Sequence, residues 1–171
     1  MEKKNSLLKD IIEILIGAAI ISLILVNFIL KPYKVNGTSM HPTLKDGDFG
    51  YSFIITKKLG INRFDTVVIE VNTTDVEKLL VKRVIGMPNE TVEIKNNKLF
   101  INGEYIEQTF IKPDVYTEDL YYVLGEDEYY CLGDNRPVSR DSRYYGPFLE
   151  KDIISTHLLV LWPITSFGVQ K

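Results

Sequence analysis

Three stretches of the 171-residue chain carry side chains able to do chemistry. "VNGTSMHPTL" (35–44) holds Ser39 between a threonine and a methionine. "LLVKRVIG" (79–86) holds Lys82 in an apolar run, and "GDNRPVSRDSRYYGP" (133–147) packs Asp134, Asn135, Ser139, Asp141 and Arg143 between glycines. A serine hydroxyl is a weak nucleophile until a base takes its proton, and the candidate bases are a histidine, a carboxylate or a desolvated lysine. His41 is two residues from Ser39, too close in a tight turn for easy in-line contact, and His157 lies in the apolar "HLLVLW". Both read more simply as structural or surface histidines than as general bases.

Lys82 is less ordinary. Period-two alternation puts Leu80, Lys82 and Val84 on one strand face and Val81, Arg83 and Ile85 on the other. Burial disfavours an ammonium, so a lysine among aliphatics has its pKa lowered and can take a proton from serine near neutral pH. Arg83 stays charged and cannot serve. On local pattern alone Lys82 better suits a stem packed on a sheet with its head in water, and Ser39 suits a turn. The stretch 133–147 by itself is a solvated loop, unless Asp141 pairs with Arg143 and Ser139 orients a neighbour.

These residues need elements to hold them. Residues 11–30, "IIEILIGAAIISLILVNFIL", carry only Glu13, Ser22 and Asn27 as polar positions, and about 20 residues at ~1.5 Å rise match the roughly 30 Å hydrocarbon core of a bilayer. Pro32 ends the helix. The run is too long for a signal-peptide h-region and is followed by "KPYKVNG" where a small-x-small cleavage site would stand, so an uncleaved anchor fits better. Lys3, Lys4 and Lys9 on one flank balance Lys31, Lys34 and Lys45 on the other, leaving the orientation open. After it come runs rich in Val, Ile, Tyr and Phe at 65–71, 79–86, 90–106, 121–133 and 154–162, bounded by turn residues. Asn96-Asn97 and Asn102-Gly103 are spaced as successive hairpin turns, and 72–79 reads as a polar loop. The expected fold is mostly β: one N-terminal transmembrane helix followed by one compact antiparallel β domain over 31–171.

Composition excludes other classes. With 20 basic and 23 acidic residues the chain lacks the basic excess of a nucleic-acid binder. A single cysteine, Cys131, forbids an internal disulfide, and two histidines do not make a Cys/His zinc cluster. Cys131 reads as a buried small hydrophobe.

Taken in order, the membrane segment, "GTSMHPTL", "VKRVIGMPNETVEI" and "LGDNRPVSRDSRYYGP" resemble the bacterial type I signal peptidases, the Ser-Lys membrane-bound endopeptidases, in their short Gram-positive-like form. The resemblance runs from the anchor nearly to "LWPITSFG". It implies Ser39 as nucleophile, Lys82 as general base, and Gly133, Asp134, Asn135, Ser139, Asp141 and Arg143 as the supporting polar box, with Ser139 fixing the lysine's orientation. It implies that the Ser39 N–H contributes to an oxyanion hole; Gly37 stands where some members have a serine donor, so the second donor is not identified. The implied substrate is a preprotein with small residues at the first and third positions before the cut, lying extended beside 33–37 and 79–84, with Tyr33, Val35, Met40, Leu80 and Val81 in contact. No metal or organic cofactor is implied. The implied setting is the cell membrane, with 1–10 cytoplasmic, 11–30 spanning and 31–171 extracytoplasmic, beside the lipid bilayer and near the secretion translocon. A specialised pilin-processing paralogue and an inactive membrane-anchored assembly protein are the competing readings; a self-cleaving repressor relative is disfavoured by the anchor.

Overall fold

In the computed structural model of the chain, residues 2–72, 77–112 and 115–170 are described. Helix α1 covers Glu2–Ile29, and the chain turns directly into strand β1, Leu30–Lys34. Pro32 therefore falls inside a strand instead of after a helix stop. β1 is an edge strand paired only with β2 (Phe49–Phe53) among the described residues, and an edge tolerates a residue without an N–H. The remaining elements are α2 (Ile54–Lys57), β3 (Thr66–Asn72), β4 (Glu77–Gly86), β5 (Thr91–Lys95), β6 (Lys98–Ile101), β7 (Glu104–Ile106), β8 (Leu120–Val123), β9 (Glu128–Leu132), α3 (Ser142–Tyr145), β10 (Phe148–Leu149), β11 (Ile153–Trp162) and β12 (Gly168–Gln170).

The strands form two antiparallel sheets, in keeping with the expected mostly β, antiparallel fold. The larger runs β1-β2-β11-β3-β4-β9-β10, with β12 also on β11; the smaller runs β7-β6-β5-β8. Each sheet buries its own apolar side chains: Val92, Ile94, Leu99 and Ile101 of the small sheet pack with Leu124, Tyr130 and Leu132, whereas Val67, Ile69, Val84, Cys131 and Ile153 fill the core of the large one. Tyr130 and Leu132 of β9 reach the small-sheet cluster while Cys131 between them joins the other, so period-two alternation in one strand joins both cores. Cys131 is fully buried and its thiol pKa is pushed up by desolvation, as a structural cysteine's would be.

Both expected hairpin turns are present, with Asn96, Asn97, Asn102 and Gly103 all at positive φ, the conformation that suits Asn and Gly in two-residue hairpins. The expected loop at 72–79 is shorter than its polarity suggested. Asn72 closes β3 and Glu77 opens β4, and 73–76 lie outside the described residues. Among the described residues no helix is long and apolar enough to cross a membrane. The role of the N-terminal segment is taken up under the proposed function.

Candidate active site

Lys82 sits midway along β4, opposite Val67 of β3, and is only 3% exposed. Its Nζ lies 2.9 Å from Ser39 Oγ and donates to the Val81 carbonyl at 2.9 Å. The alternative of a lysine head in water is thereby set aside, and two residues 43 apart in sequence become neighbours.

Ser39 is brought there by the chain after β1. Val35 N–H donates to Asp48 O and Gly47 N–H to Val35 O, closing the ends of the segment on each other. Gly37, at φ +96, gives its N–H to Asp46 Oδ1 at 2.7 Å. The positive φ favours glycine, which carries no Cβ to clash. Met40 and Leu44 anchor the turn by burying their side chains with Val35, Val68, Leu158 and Val160, at about 1.5–3 kcal/mol for each such side chain. Ser39 thus rides on a turn pinned from below by its own neighbours.

The polar stretch 133–147 clamps that turn from the other side. Asn135 N–H donates to Ser39 O at 2.9 Å and its side-chain amide to Thr38 O at 3.1 Å. Gly133 makes the approach possible: a Cβ there would stand 2.5 Å from the Ser39 carbonyl oxygen and 2.2 Å from Ser139 Oγ. Asp141, fully buried, accepts from Gly133 N–H at 3.0 Å, from Arg143 Nη2 at 2.8 Å and from Arg143 Nε at 2.9 Å. Burial alone would raise its carboxyl pKa, but the Arg143 guanidinium and the Gly133 N–H outweigh that and hold it below the ordinary carboxylate range. Arg143 in turn is raised, chiefly by its hydrogen bonds to Asp141. The Asp141–Arg143 pair read as possible from sequence is therefore formed.

Asp134 binds elsewhere. It takes a two-pronged contact from Arg83, Nε to Oδ1 at 2.9 Å and Nη2 to Oδ2 at 2.8 Å, with both side chains almost fully buried. Thr43 Oγ1 donates to the same carboxylate, Arg83 also donates to Phe64 O at 2.7 Å, and Phe110 lies with its ring centroid 4.4 Å from the guanidinium carbon. Arg83, unfit as a base, links the turn, β4 and the polar loop. Neither it nor Thr43 was singled out from sequence for this role. The available signal was an arginine in an apolar strand, which calls for a buried carboxylate.

Other expected residues fall out unevenly. Tyr33, Val35, Met40 and Val81 gather in one apolar cluster, but Leu80 packs in a different one with Val67 and Val84. Ser139 Oγ is buried, and Lys82 Nζ donates to Val81 O. His157 lies with Nε2 3.5 Å from Asp65 and Nδ1 2.9 Å from Thr156 Oγ1, and the Lys82 amine, not a histidine, stands beside Ser39. Among the described residues no cluster of His, Cys, Asp and Glu is arranged to hold a metal ion.

A serine hydroxyl, a buried amine at hydrogen-bonding distance and a hydrogen-bonded backbone frame are an arrangement that suits serine hydrolase chemistry. Residues 8–162 match the family model described as signal peptidase, peptidase S26, and the chain belongs to that family. It is a peptidase, with relatives of matching length. Signal peptidase IB of Staphylococcus aureus strain Mu50 is 34% identical over 183 residues, covering 96% of this chain and 94% of the relative. Signal peptidase I S of Bacillus subtilis strain 168 is 36% identical over 176 residues, covering 95% and 93%. The solved structure of a signal peptidase I from Enterococcus faecalis V583 is similar at a TM-score of 0.50 and 30% identity, covering 56% of this chain and 95% of that one.

Proposed function

We propose that this peptidase removes N-terminal signal peptides from secreted preproteins, cutting after small residues with Ser39 as nucleophile and Lys82 as general base. The observation that carries the reading is the 2.9 Å separation of Lys82 Nζ from Ser39 Oγ in a setting where the lysine is 3% exposed. Desolvation favours the neutral form of an amine, which is the form able to accept the serine proton. The Ser39 oxygen then attacks the scissile carbonyl while the proton passes to Nζ. The resulting oxyanion takes a hydrogen bond from the Ser39 N–H, which has no acceptor among the described residues. The Gly37 N–H is already engaged by Asp46 and does not serve. The lysine delivers its proton to the leaving amine, giving an acyl-enzyme, and then activates the water that hydrolyses it.

The substrate lies extended along the site. β9 pairs with β4 only from Arg83 onward, so among the described residues the preceding part of β4 has one unpaired edge. An extended peptide gains main-chain hydrogen bonds there by strand addition, beside the apolar cluster that holds Val35, Met40 and Val81. The Asn135 contacts and the Asp134–Arg83 and Asp141–Arg143 pairs hold the turn in register during attack.

Residues 11–30 anchor the enzyme in the cell membrane, with the N-terminus cytoplasmic and the catalytic part outside, near the translocon. Support comes from the sequence of the segment and from α1 itself, where Ile14, Leu15, Ile16, Leu23 and Phe28 are all exposed. Consecutive apolar positions about 100° apart leave no polar stripe. Tethering enzyme and membrane-held substrate in one bilayer raises their effective concentration. The test is incubation of the purified protein with a labelled preprotein, wild type beside Ser39→Ala, with the cut mapped by mass spectrometry. One cut after a small residue, absent in the variant, is the expected result. Cleavage by the Ser39→Ala protein overturns the reading.

A further inference from the structure

The outer face of the small sheet carries a feature that peptide-bond cleavage at Ser39 does not use. The strand register places Tyr105 opposite Phe100, Phe100 opposite Glu93, and Glu93 opposite Tyr121, so four side chains form one row across β7, β6, β5 and β8. Directly opposite residues share a sheet face, and Val92, Ile94, Leu99 and Ile101 take the inner one. Tyr105 and Tyr121 are 57% and 67% exposed, and the Phe100 and Tyr105 rings meet edge to face with centroids 6.1 Å apart. Val123, also exposed, stands next to Tyr121 along this face. Core packing explains none of these, because the core lies on the other side of the sheet.

Glu93 gives the row its chemistry. Its carboxylate stands between Phe100 and Tyr121, which are two inter-strand spacings or about 9.5 Å apart. Among the described residues it belongs to no ion pair. A carboxylate flanked by aromatic rings attracts a cation twice, through charge and through the ring quadrupoles. The composition of the segment is acidic: residues 91–123 contain six acidic residues and three lysines, so they carry the whole net charge of −3 while the rest of the chain is balanced. Lys95 and Lys98, paired across the hairpin tip, are the basic groups on this face. Lys95 lies beside Asp119, whose carboxylate accepts the Asn96 N–H, and Glu104 and Glu107 lie at the β7 edge.

We propose that this row, Tyr105-Phe100-Glu93-Tyr121, is a docking surface for a basic, extended polypeptide segment, with an Arg or Lys side chain of the partner seated over Glu93 between the two flanking rings. The site lies outside the Ser39–Lys82 centre, so occupancy does not require cleavage. Among the described residues β8 pairs only with β5, and its other edge beside Tyr121 suits an extended partner, which gains main-chain hydrogen bonds as it places a basic side chain on this face.

The test uses the full chain in neutral detergent, titrated with a capped octapeptide of alternating Arg and Ser and followed by backbone amide chemical shifts. Saturable shifts concentrated in 91–123, weakened by added salt and absent with the corresponding Glu-Ser peptide, are expected. Glu93→Gln and Tyr121→Ala should each weaken binding about two- to fivefold while preprotein cleavage and melting temperature stay at wild-type values. Equal binding of the acidic peptide, or unchanged affinity in both variants, overturns the proposal. So does binding of tetra-N-acetylglucosamine in place of the basic peptide, which would mark a sugar platform. Concentration-dependent self-association abolished by Lys98→Glu, without peptide binding, would mark a contact between copies and equally overturn it.

Discussion

Gly133→Ala tests how the polar loop governs the nucleophile without touching either member of the dyad. The added Cβ would stand 2.5 Å from the Ser39 carbonyl oxygen, 2.2 Å from Ser139 Oγ and 2.6 Å from Ser139 Cβ. Rotating the Ser139 hydroxyl relieves only one of the three contacts; the others involve a backbone atom and a Cβ that rotation does not move. Reaching an ordinary 3.4 Å contact requires the Ser39 carbonyl and residue 133 to part by about 0.9 Å. The same movement stretches the 2.9 Å bond from Asn135 N–H to Ser39 O. Overpacking of this kind costs about 1–3 kcal/mol, which for a chain of this size lowers Tm by roughly 2–12 °C. A reacting group misplaced by about 1 Å loses on the order of 10²-fold in rate. The assay is kcat/KM on a preprotein substrate, with thermal unfolding followed by circular dichroism on the same samples. A drop of about 10²-fold in a variant still folded at the assay temperature is expected. An alanine variant with kcat/KM within about twofold of wild type, whatever its Tm, would refute the claim that Gly133 sets the position of Ser39.

The buried Arg83–Asp134 pair should be costly to break: Asp134→Ala removes the carboxylate that meets a buried guanidinium and should destabilise by about 3–5 kcal/mol in urea unfolding, whereas a loss under about 1 kcal/mol would show that the pair does not hold the turn. Asp141 has a depressed folded-state pKa, so it contributes stability that is fully present above the ordinary carboxylate value near 3.9 and is lost as pH falls through its lower folded value. Wild type should therefore lose stability relative to Asp141→Asn on acidification below about pH 4, and a difference independent of pH from 7 to 2 would contradict the assignment. Removing residues 1–30 should reduce cleavage of a membrane-inserted preprotein far more than cleavage of a short soluble peptide; equal loss on both would count against tethering.

The hairpins were legible because their signal is local: Asn96-Asn97 and Asn102-Gly103 sit at positive φ, as side chains of these types allow. Lys82 was legible because a charged residue in an apolar strand conflicts with its surroundings, and such conflicts concentrate at functional sites. The division into two sheets was not, because both use the same alternation and strand order is decided by pairings such as β3 with β11, far apart in sequence. Nor was the destination of each polar side chain. Asp134 and Asp141 are seven residues apart in one loop, yet one binds Arg83 and the other Arg143. Proximity in sequence does not tell which of two buried cations a carboxylate will meet. Leu80 and Val81 adjoin in sequence, yet alternation sends them to different clusters.

The central claim is that Ser39 and Lys82 act as one chemical unit. The most direct measurement is single-turnover cleavage of a preprotein by Ser39→Ala, Lys82→Ala and the double variant, each verified as folded. Residues acting as a unit are grossly non-additive, so each single variant should lose essentially all activity and the double variant should lose no more. Near-normal turnover by Lys82→Ala would contradict the dyad and require another base for Ser39.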